Sequence, residues 1–261
     1  MIALRSALFN VAWLAWTVCF TVILAPMHVL PLPTFRAALR VWSGGIIWLL
    51  ARLVGITMCV RGTGNIPEGP AIIASKHQSV WETITFNQFV AAPAFVIKQE
   101  LLRIPLFGWH MLRGGTFAVD RGGGARALKQ MVKSGREVLA RGQQIVIFPE
   151  GTRTAPGSRS PYLPGIAALY TRLGVPVVPA ALNSGLFWSR RGFLKRPGRI
   201  TVEFLPPIAP GLDRRRFLAE LEERIETASR RLERDAFVDK SVDDGRTAGH
   251  TPVKAENAAE K

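Results

Sequence analysis

The first quarter of the chain is almost uniformly apolar, whereas the rest alternates short apolar runs with amphipathic segments. No charged residue occurs in residues 6–35. Residues 6–25 could cross a hydrocarbon core of about 30 Å as a helix rising about 1.5 Å per residue. A second apolar run, residues 41–60, contains Arg52 and could lie in the membrane interface instead. We therefore predict a hydrophobic, membrane-anchoring helical segment over residues 1–60.

A cleaved signal peptide and a buried core helix are the two other interpretations of the first apolar run. A cleaved signal peptide would have only Arg5 as its charged region, and the sequence around Ala25-Pro26 is a poor cleavage site. A helix in a soluble core would carry its apolar side chains on one stripe, but the apolar residues of 6–25 occupy every face of the helix. The composition therefore favours lipid around this segment.

Beyond residue 60, apolar runs of strand length alternate with segments of helical periodicity, which is typical of an α/β fold. Strands are predicted over residues 71–75, 94–97, 116–119, 145–148, 175–182 and 200–204. Helices are predicted over residues 80–90, 101–109, 125–140, 165–173 and 214–234. We expect a mixed central sheet flanked by helices over residues 61–235. Residues 236–261 have little to bury and are expected to form a disordered tail.

The net charge of +15 is concentrated in the middle of the chain. Residues 98–199 contain 17 Lys and Arg against 4 Asp and Glu. Beside an apolar anchor, such a basic region is typical of contact with anionic lipid headgroups. No helix-turn-helix, zinc-finger or RNP-like pattern supports a nucleic-acid partner.

The two cysteines, Cys19 and Cys59, lie in apolar surroundings and have neither metal-ligand spacing nor a disulfide framework.

Two short motifs follow directly on predicted strands, where open α/β sheets place their sites. The first is KHQSVWE, in which His77 precedes the carboxylate of Glu82 by five residues; the second is FPEGTR, residues 148–153. A turn after His77 would bring Glu82 back to one ring nitrogen and leave the other as a base. The alternative for Glu82 is helix capping, because Ser79 and Glu82 fit the S-x-x-E capping box. Both roles are compatible with one carboxylate.

Four segments in order resemble the motifs of the glycerolipid acyltransferases, in particular their bacterial lysophosphatidic acid acyltransferases. KHQSVWE resembles the H-x-x-x-x-D motif, GTFAVDR at residues 115–121 resembles the second, and FPEGTR matches the third. VPVVP at residues 175–179 is similar to the fourth. Two departures stand out: position 82 is Glu instead of Asp, and Leu163 lies where relatives often carry lysine. Four motifs in the right order are far more specific than one.

The resemblance implies that His77 is the general base and that Glu82 orients its ring. It further implies a clamp for the substrate phosphate formed by Arg121, Glu150, Gly151, Thr152 and Arg153, with Glu150 and Gly151 acting through their backbone. Val175, Pro176 and Pro179 carry no titratable group and are expected to form acyl-chain wall or sheet core. No metal or nucleotide cofactor is expected beyond acyl-CoA or acyl carrier protein as co-substrate.

The function expected from the resemblance is transfer of a fatty acyl chain to the sn-2 hydroxyl of lysophosphatidic acid, giving phosphatidic acid. The motifs leave other lysolipid acceptors open, for example a lyso-ornithine lipid. A non-catalytic basic protein that binds anionic membrane is the remaining alternative, although it would leave His77 unexplained. Because acyl carriers are cytosolic, we expect an inner-membrane protein whose site faces the cytoplasm. The sequence does not decide between a membrane-spanning anchor and one held in a single leaflet.

Overall fold

The computed structural model describes the backbone of residues 1–120 and 122–247, and the side chains of this part up to residue 237. Its centre is a seven-stranded sheet with the order β1-β7-β6-β2-β5-β3-β4. All neighbouring strands are parallel except β6 and β7, so the predicted mixed sheet is confirmed. The strands are β1 Ile56–Arg61, β2 Ile72–Ser75, β3 Pro93–Lys98, β4 Phe117–Val119, β5 Gln144–Ile147, β6 Val177–Leu182 and β7 Gly198–Phe204.

Seven helices surround this sheet in the described part of the chain, and local signals explain where several begin and end. Pro164 occupies the first turn of α6, where its missing N–H costs nothing, and Gly174 ends that helix with a φ of 64°. The helices are α1 Ile2–Leu24, α2 Leu32–Leu49, α3 Trp81–Phe89, α4 Phe107–Gly114, α5 Gly124–Ala140, α6 Pro164–Leu173 and α7 Arg214–Thr247.

Alternate strand residues face two separate cores, one on each side of the sheet. Ile73 and Val146 belong to a core that also contains side chains of α1, α2 and α3. Their neighbours Ile72 and Ile145 belong to a core formed with α5, α6 and α7. The N-terminal helices therefore cover one face of the sheet, and the three later helices cover the other.

The two N-terminal helices form a hairpin that is attached to the body. Both apolar segments, Ile2–Leu24 and Leu32–Val54, are long and apolar enough to cross a membrane by length and composition. Phe9 of α1 nevertheless packs edge-on against Trp188, with ring centroids 5.4 Å apart. Lys195 donates its backbone N–H to Ser6 Oγ at 2.9 Å. One side of the hairpin is thus part of the protein core.

Two predicted boundaries differ from the structure at the ends of the body. Ile56–Arg61 pairs in parallel with β7, so the division at residue 60 falls inside a strand. Gly55, with a φ of 80°, ends the π-helical turn Leu50–Val54 that continues α2, and because the apolar run does not stop there, hydrophobicity alone does not mark that break. Helix α7 continues to Thr247 instead of ending near residue 234, because no proline or glycine interrupts residues 212–244. Of the predicted tail, residues 248–261 lie outside the described residues.

Candidate active site

His77 lies just beyond the carboxyl end of β2, in the middle of the sheet. Its Nδ1 is 2.9 Å from Glu82 Oε1, and its ring stacks on Phe148 with centroids 4.1 Å apart. Because an ionised carboxylate only accepts hydrogen bonds, Nδ1 carries the proton and Nε2 has the lone pair. The side chain is 14% exposed and lines a large cavity. We find no hydrogen-bond partner of Nε2 in the part of the chain that the structure describes, so this nitrogen can act as a base.

Glu82 is completely buried and accepts four hydrogen bonds. Besides His77, the backbone N–H groups of Gln78 and Ser79 each donate to Oε1 at 2.7 Å. The hydroxyl of Ser184, which follows β6, donates to Oε2 at 2.9 Å. The carboxylate therefore ties the turn before α3 as the capping interpretation expected, and orients the imidazole at the same time. Helix α3 starts one residue later than a capping box at Ser79 would place it, with Val80 as its N-cap.

Glu150 of the FPEGTR motif holds the loop of His77 from the other side. Its Oε2 accepts the backbone N–H of His77 at 3.0 Å, and its Oε1 accepts the hydroxyl of Thr154 at 2.8 Å. Lys76 Nζ lies 2.6 Å from the same Oε1, with both side chains almost fully buried. The carboxylate is thus occupied by protein donors, and only the backbone of Glu150 is available for the phosphate role that the motif implied.

Helix α7 completes this buried network from behind. Glu226 Oε1 lies 2.7 Å from Lys76 Nζ, so one ammonium group is shared by two carboxylates. Glu233 accepts from Gln78 Nε2 at 2.6 Å and from the backbone N–H of Gly157 at 3.0 Å. Burial raises the pKa of Glu233, although both hydrogen bonds oppose the rise. The residues on either side of His77 are therefore fixed by the C-terminal helix.

Gly151 and Arg153 of the FPEGTR motif lie at the rim of the site. Gly151 turns the chain with a φ of 65°, and Gly151 and Arg153 both line the cavity that His77 enters. Arg153 donates from Nη1 to the carbonyl of Arg190 at 3.1 Å, which holds its guanidinium near the surface. Thr152 is exposed. Arg121 lies outside the described residues, so its predicted role has no geometry to support or oppose it.

The cavity has a volume of about 690 Å³ and is enclosed mainly by apolar side chains. That volume is within the usual range of ligand pockets. Its polar lining residues are Thr17, Arg36, Arg40, His77, Thr83, Asn87, Lys98, Thr116, Asp120 and Arg153. Its apolar wall comes from several elements and includes Trp13, Leu39, Trp42, Ile84, Phe95, Ile97, Leu101, Phe107, Met111, Leu128, Met131, Phe148 and Ile166. In the described residues, no group of three or more His, Cys, Asp and Glu side chains could hold a metal ion.

Val175, Pro176 and Pro179 do not line this cavity in the part of the chain described. Pro179 lies within β6 beside Ala74 of β2, and its carbonyl accepts the backbone N–H of Leu205 at 2.8 Å. Of the two roles suggested for this segment, the arrangement favours sheet core over acyl-chain wall.

The chain is similar in sequence to known enzymes. A family model described as Acyltransferase matches residues 57–183. The 1-acyl-sn-glycerol-3-phosphate acyltransferase of Pseudomonas aeruginosa is 41% identical over 200 residues, which cover 75% of this chain and 78% of that protein. The chain belongs to the acyltransferase family. The resemblance predicted from four short motifs is therefore confirmed.

Two further similarities concern the breadth of the family and its fold. The lyso-ornithine lipid O-acyltransferase of Pseudomonas aeruginosa is 30% identical over 201 residues, which cover 69% of this chain and 76% of that protein. The crystal structure of a 1-acyl-sn-glycerophosphate acyltransferase from Thermotoga maritima superposes with a TM-score of 0.74 at 20% identity. That match covers 89% of this acyltransferase and 98% of the other chain, and it shows a shared fold.

Sequence reasoning missed the side chains that support this acyltransferase site from behind. Ser184 donates a hydrogen bond to Glu82, and Lys76 lies next to His77 in the same loop. Glu226, 150 residues further along the chain, accepts a hydrogen bond from Lys76. The sequence offered one signal for Lys76. It follows directly on the apolar strand Ile72–Ser75, and a lysine buried in such a place is costly unless it is paired. Nothing in the sequence indicated that Glu226 of α7 would be the partner of Lys76.

Proposed function

We propose that the protein transfers a fatty acyl chain from acyl-CoA or acyl carrier protein to the sn-2 hydroxyl of lysophosphatidic acid, giving phosphatidic acid. The observation that carries this proposal is the His77–Glu82 pair, whose free ring nitrogen faces a large apolar cavity beside Arg153. An apolar cavity suits an acyl chain, a base suits a hydroxyl acceptor, and a guanidinium suits a phosphate.

In the proposed reaction His77 Nε2 takes the proton of the acceptor hydroxyl as its oxygen attacks the carbonyl carbon of the thioester. Glu82 stabilises the imidazolium formed in this step. The carbon–sulfur bond then breaks, and the proton passes from His77 to the leaving thiolate. The products are an ester and a free thiol, and no covalent intermediate on the protein is required.

The acceptor phosphate is proposed to bind at the rim of the cavity. Arg153 offers a bidentate fork in a cavity that Gly151 also lines. Thr152 can add a hydroxyl donor, and Arg121 is assigned here by its motif alone. In this proposal the phosphate binds at the rim while the hydroxyl of the same molecule reaches His77.

Another lysolipid acceptor is the second candidate, and one finding supports considering it. A lyso-ornithine lipid acyltransferase is 30% identical to this chain, whereas the 1-acyl-sn-glycerol-3-phosphate acyltransferase is 41% identical. The higher identity, together with Arg153 at the cavity, favours lysophosphatidic acid.

The hairpin of α1 and α2 is proposed to bind one leaflet of the inner membrane, with the active site facing the cytoplasm where acyl carriers are found. Exposed apolar side chains recur every three or four residues along α1, namely Leu4, Leu8, Leu14, Val11, Val18 and Val22. Trp109 and Leu112 of α4 are also exposed. A helix with one side in the protein core and one apolar side outward fits contact with lipid.

The test is turnover by the purified full-length protein supplied with labelled palmitoyl thioester and a panel of lysolipids. We expect phosphatidic acid from lysophosphatidic acid, slower turnover of lyso-ornithine lipid, and at least about a hundredfold slower turnover by the His77→Ala variant. A preference for lyso-ornithine lipid would replace the acceptor. Vesicle binding without turnover of any lysolipid would support a non-catalytic membrane-binding protein.

A further inference from the structure

Arg36 of α2 brings a positive charge into the active-site cavity that the proposed chemistry does not use. The residue is half-buried and lines the cavity. Its Nε and Nη2 are closed off from solvent, and neither has a hydrogen-bond partner in the part of the chain that the structure describes. Buried guanidinium groups are normally paired, because removing an uncompensated charge from water is costly. Two donors of this guanidinium are thus available to an acceptor from outside these residues.

The charges that act on Arg36 are themselves positive. Arg40 of α2 and Arg113 of α4 both repel its guanidinium. Backbone carbonyls hold these two neighbours in place: Arg40 donates to two at the end of α3, and Arg113 donates to one in the turn between α1 and α2. Within the described residues, none of the three arginines forms an ion pair with a carboxylate. Three guanidinium groups gathered without a counter-charge attract an anion.

Helix α1 adds two polar atoms of the same kind to this cavity. Trp13 Nε1 and Thr17 Oγ1 are buried and have no hydrogen-bond partner among the residues described. They lie one turn apart on α1, and both residues line the cavity together with Arg36. An indole N–H only donates hydrogen bonds, and a threonine hydroxyl can donate one. The hairpin therefore presents a set of donors that matches a molecule with several acceptor oxygens.

The position of these donors indicates which anion fits them. They belong to the hairpin that we propose to contact the membrane, and on α4 the apolar side chains Trp109 and Leu112 beside Arg113 are exposed. A phospholipid combines a phosphate, ester carbonyls and apolar chains in one molecule. These groups match the guanidinium, the donors of α1 and the apolar cavity, respectively. Inorganic phosphate would match the guanidinium alone.

We infer that the hairpin forms a second anion site, centred on Arg36, which binds the phosphate of an anionic membrane phospholipid. This inference rests on the proposed contact of the hairpin with lipid, but it does not depend on which lysolipid is acylated. The site is distinct from the proposed acceptor site, whose cation is Arg153 of the FPEGTR motif. Phosphate oxygens accept from Nε and Nη2 of Arg36 and balance its charge. Because the lipid binds the folded hairpin, it raises the melting temperature of the protein.

The test is a calorimetric titration of the purified full-length protein in a neutral detergent. The probes are dihexanoyl phosphatidylglycerol, dihexanoylglycerol and inorganic phosphate, and we expect the first to bind most tightly. Arg36→Gln should weaken phosphatidylglycerol binding at least about tenfold, and Arg36→Lys should recover part of it, since lysine keeps the charge but loses the fork. Without lipid, Arg36→Gln should melt no lower than the parent, because the substitution removes a buried cation that lacks a partner.

Two other variants serve as controls for this titration. Arg52→Gln removes the same charge from an exposed position of the hairpin that does not line the described cavity, and it should keep the parent's affinity. Arg153→Gln should also keep it. Loss of binding in Arg153→Gln would place the lipid at the acceptor site and overturn the inference. Equal losses in Arg36→Gln and Arg52→Gln, or unchanged binding in Arg36→Gln, would overturn it as well.

Two further results would also contradict the inference. Inorganic phosphate that binds as tightly as phosphatidylglycerol would make the ligand a free anion instead of a lipid. A lower melting temperature of Arg36→Gln without lipid would make Arg36 a structural residue. Failure of the proposed acyl transfer would be detected separately, as absent turnover in the lysolipid assay, because no result of the titration depends on catalysis.

Discussion

Replacing Glu82 with glutamine separates the two roles that one carboxylate performs. The amide oxygen can occupy the position of Oε1 and accept from His77 Nδ1 and the N–H groups of Gln78 and Ser79. The amide nitrogen then faces the hydroxyl of Ser184, which can accept because hydroxyls do both. All four hydrogen bonds can therefore be kept. The substitution removes the negative charge and little else.

The size of the effect follows from the distance between the two groups. Glu82 Oε1 and His77 Nδ1 are 2.9 Å apart. Taking about 4 Å between charge centres and an effective dielectric constant of about 20, the carboxylate stabilises an imidazolium by at most about 4 kcal/mol. The smallest effect we expect is tenfold, about 1.4 kcal/mol. Turnover should therefore fall between about tenfold and a thousandfold.

The assay is kcat under saturating donor and acceptor, with the melting temperature measured on the same preparation. Glu82→Gln should melt within a few degrees of the parent while kcat falls. Ser184→Ala is the matched control, because it removes one hydrogen bond and keeps the charge, and it should lose much less activity. Near-normal turnover of Glu82→Gln would make Glu82 a structural residue. A large loss of stability would show that the charge, and not the hydrogen-bond pattern, holds the turn.

Three further predictions concern the neighbouring residues. His77→Ala should lower turnover by about 10²–10⁴ with unchanged membrane binding, and substantial residual activity in vesicles would exclude a general base. Arg153→Ala should raise KM for lysophosphatidic acid more than for the acyl donor, with partial recovery in Arg153→Lys; equal changes would indicate a structural role. Lys76→Met should destabilise the protein by about 3–5 kcal/mol, since two buried carboxylates lose their cation. Lys98→Met, at an exposed ion pair, should cost under about 1 kcal/mol by the same denaturation measurement.

Much of this molecule could be predicted from the sequence, because apolar residues recur with different periods in strands and in helices, and because the motifs lie at the ends of strands. The pairing of His77 with Glu82 followed from a turn and a spacing of five residues. Strand β1 was missed because Ile56–Arg61 continues an apolar run that begins in α2. The support of Lys76 by Glu226 was also missed, since it depends on how α7 packs against the sheet. Local patterns predicted the chemistry, whereas contacts between distant elements needed the fold.

The bond between Ser6 and Lys195 joins residues 189 positions apart, which has a consequence for how the protein is made. At about 5–20 residues per second, Ser6 is synthesised roughly 10–40 s before Lys195. Through that interval the side of α1 that will pack against Trp188 lacks this partner. We expect the bilayer to hold the hairpin during this time, since its outward side is apolar. Assembly would then end with the finished sheet closing onto helices already resting in lipid.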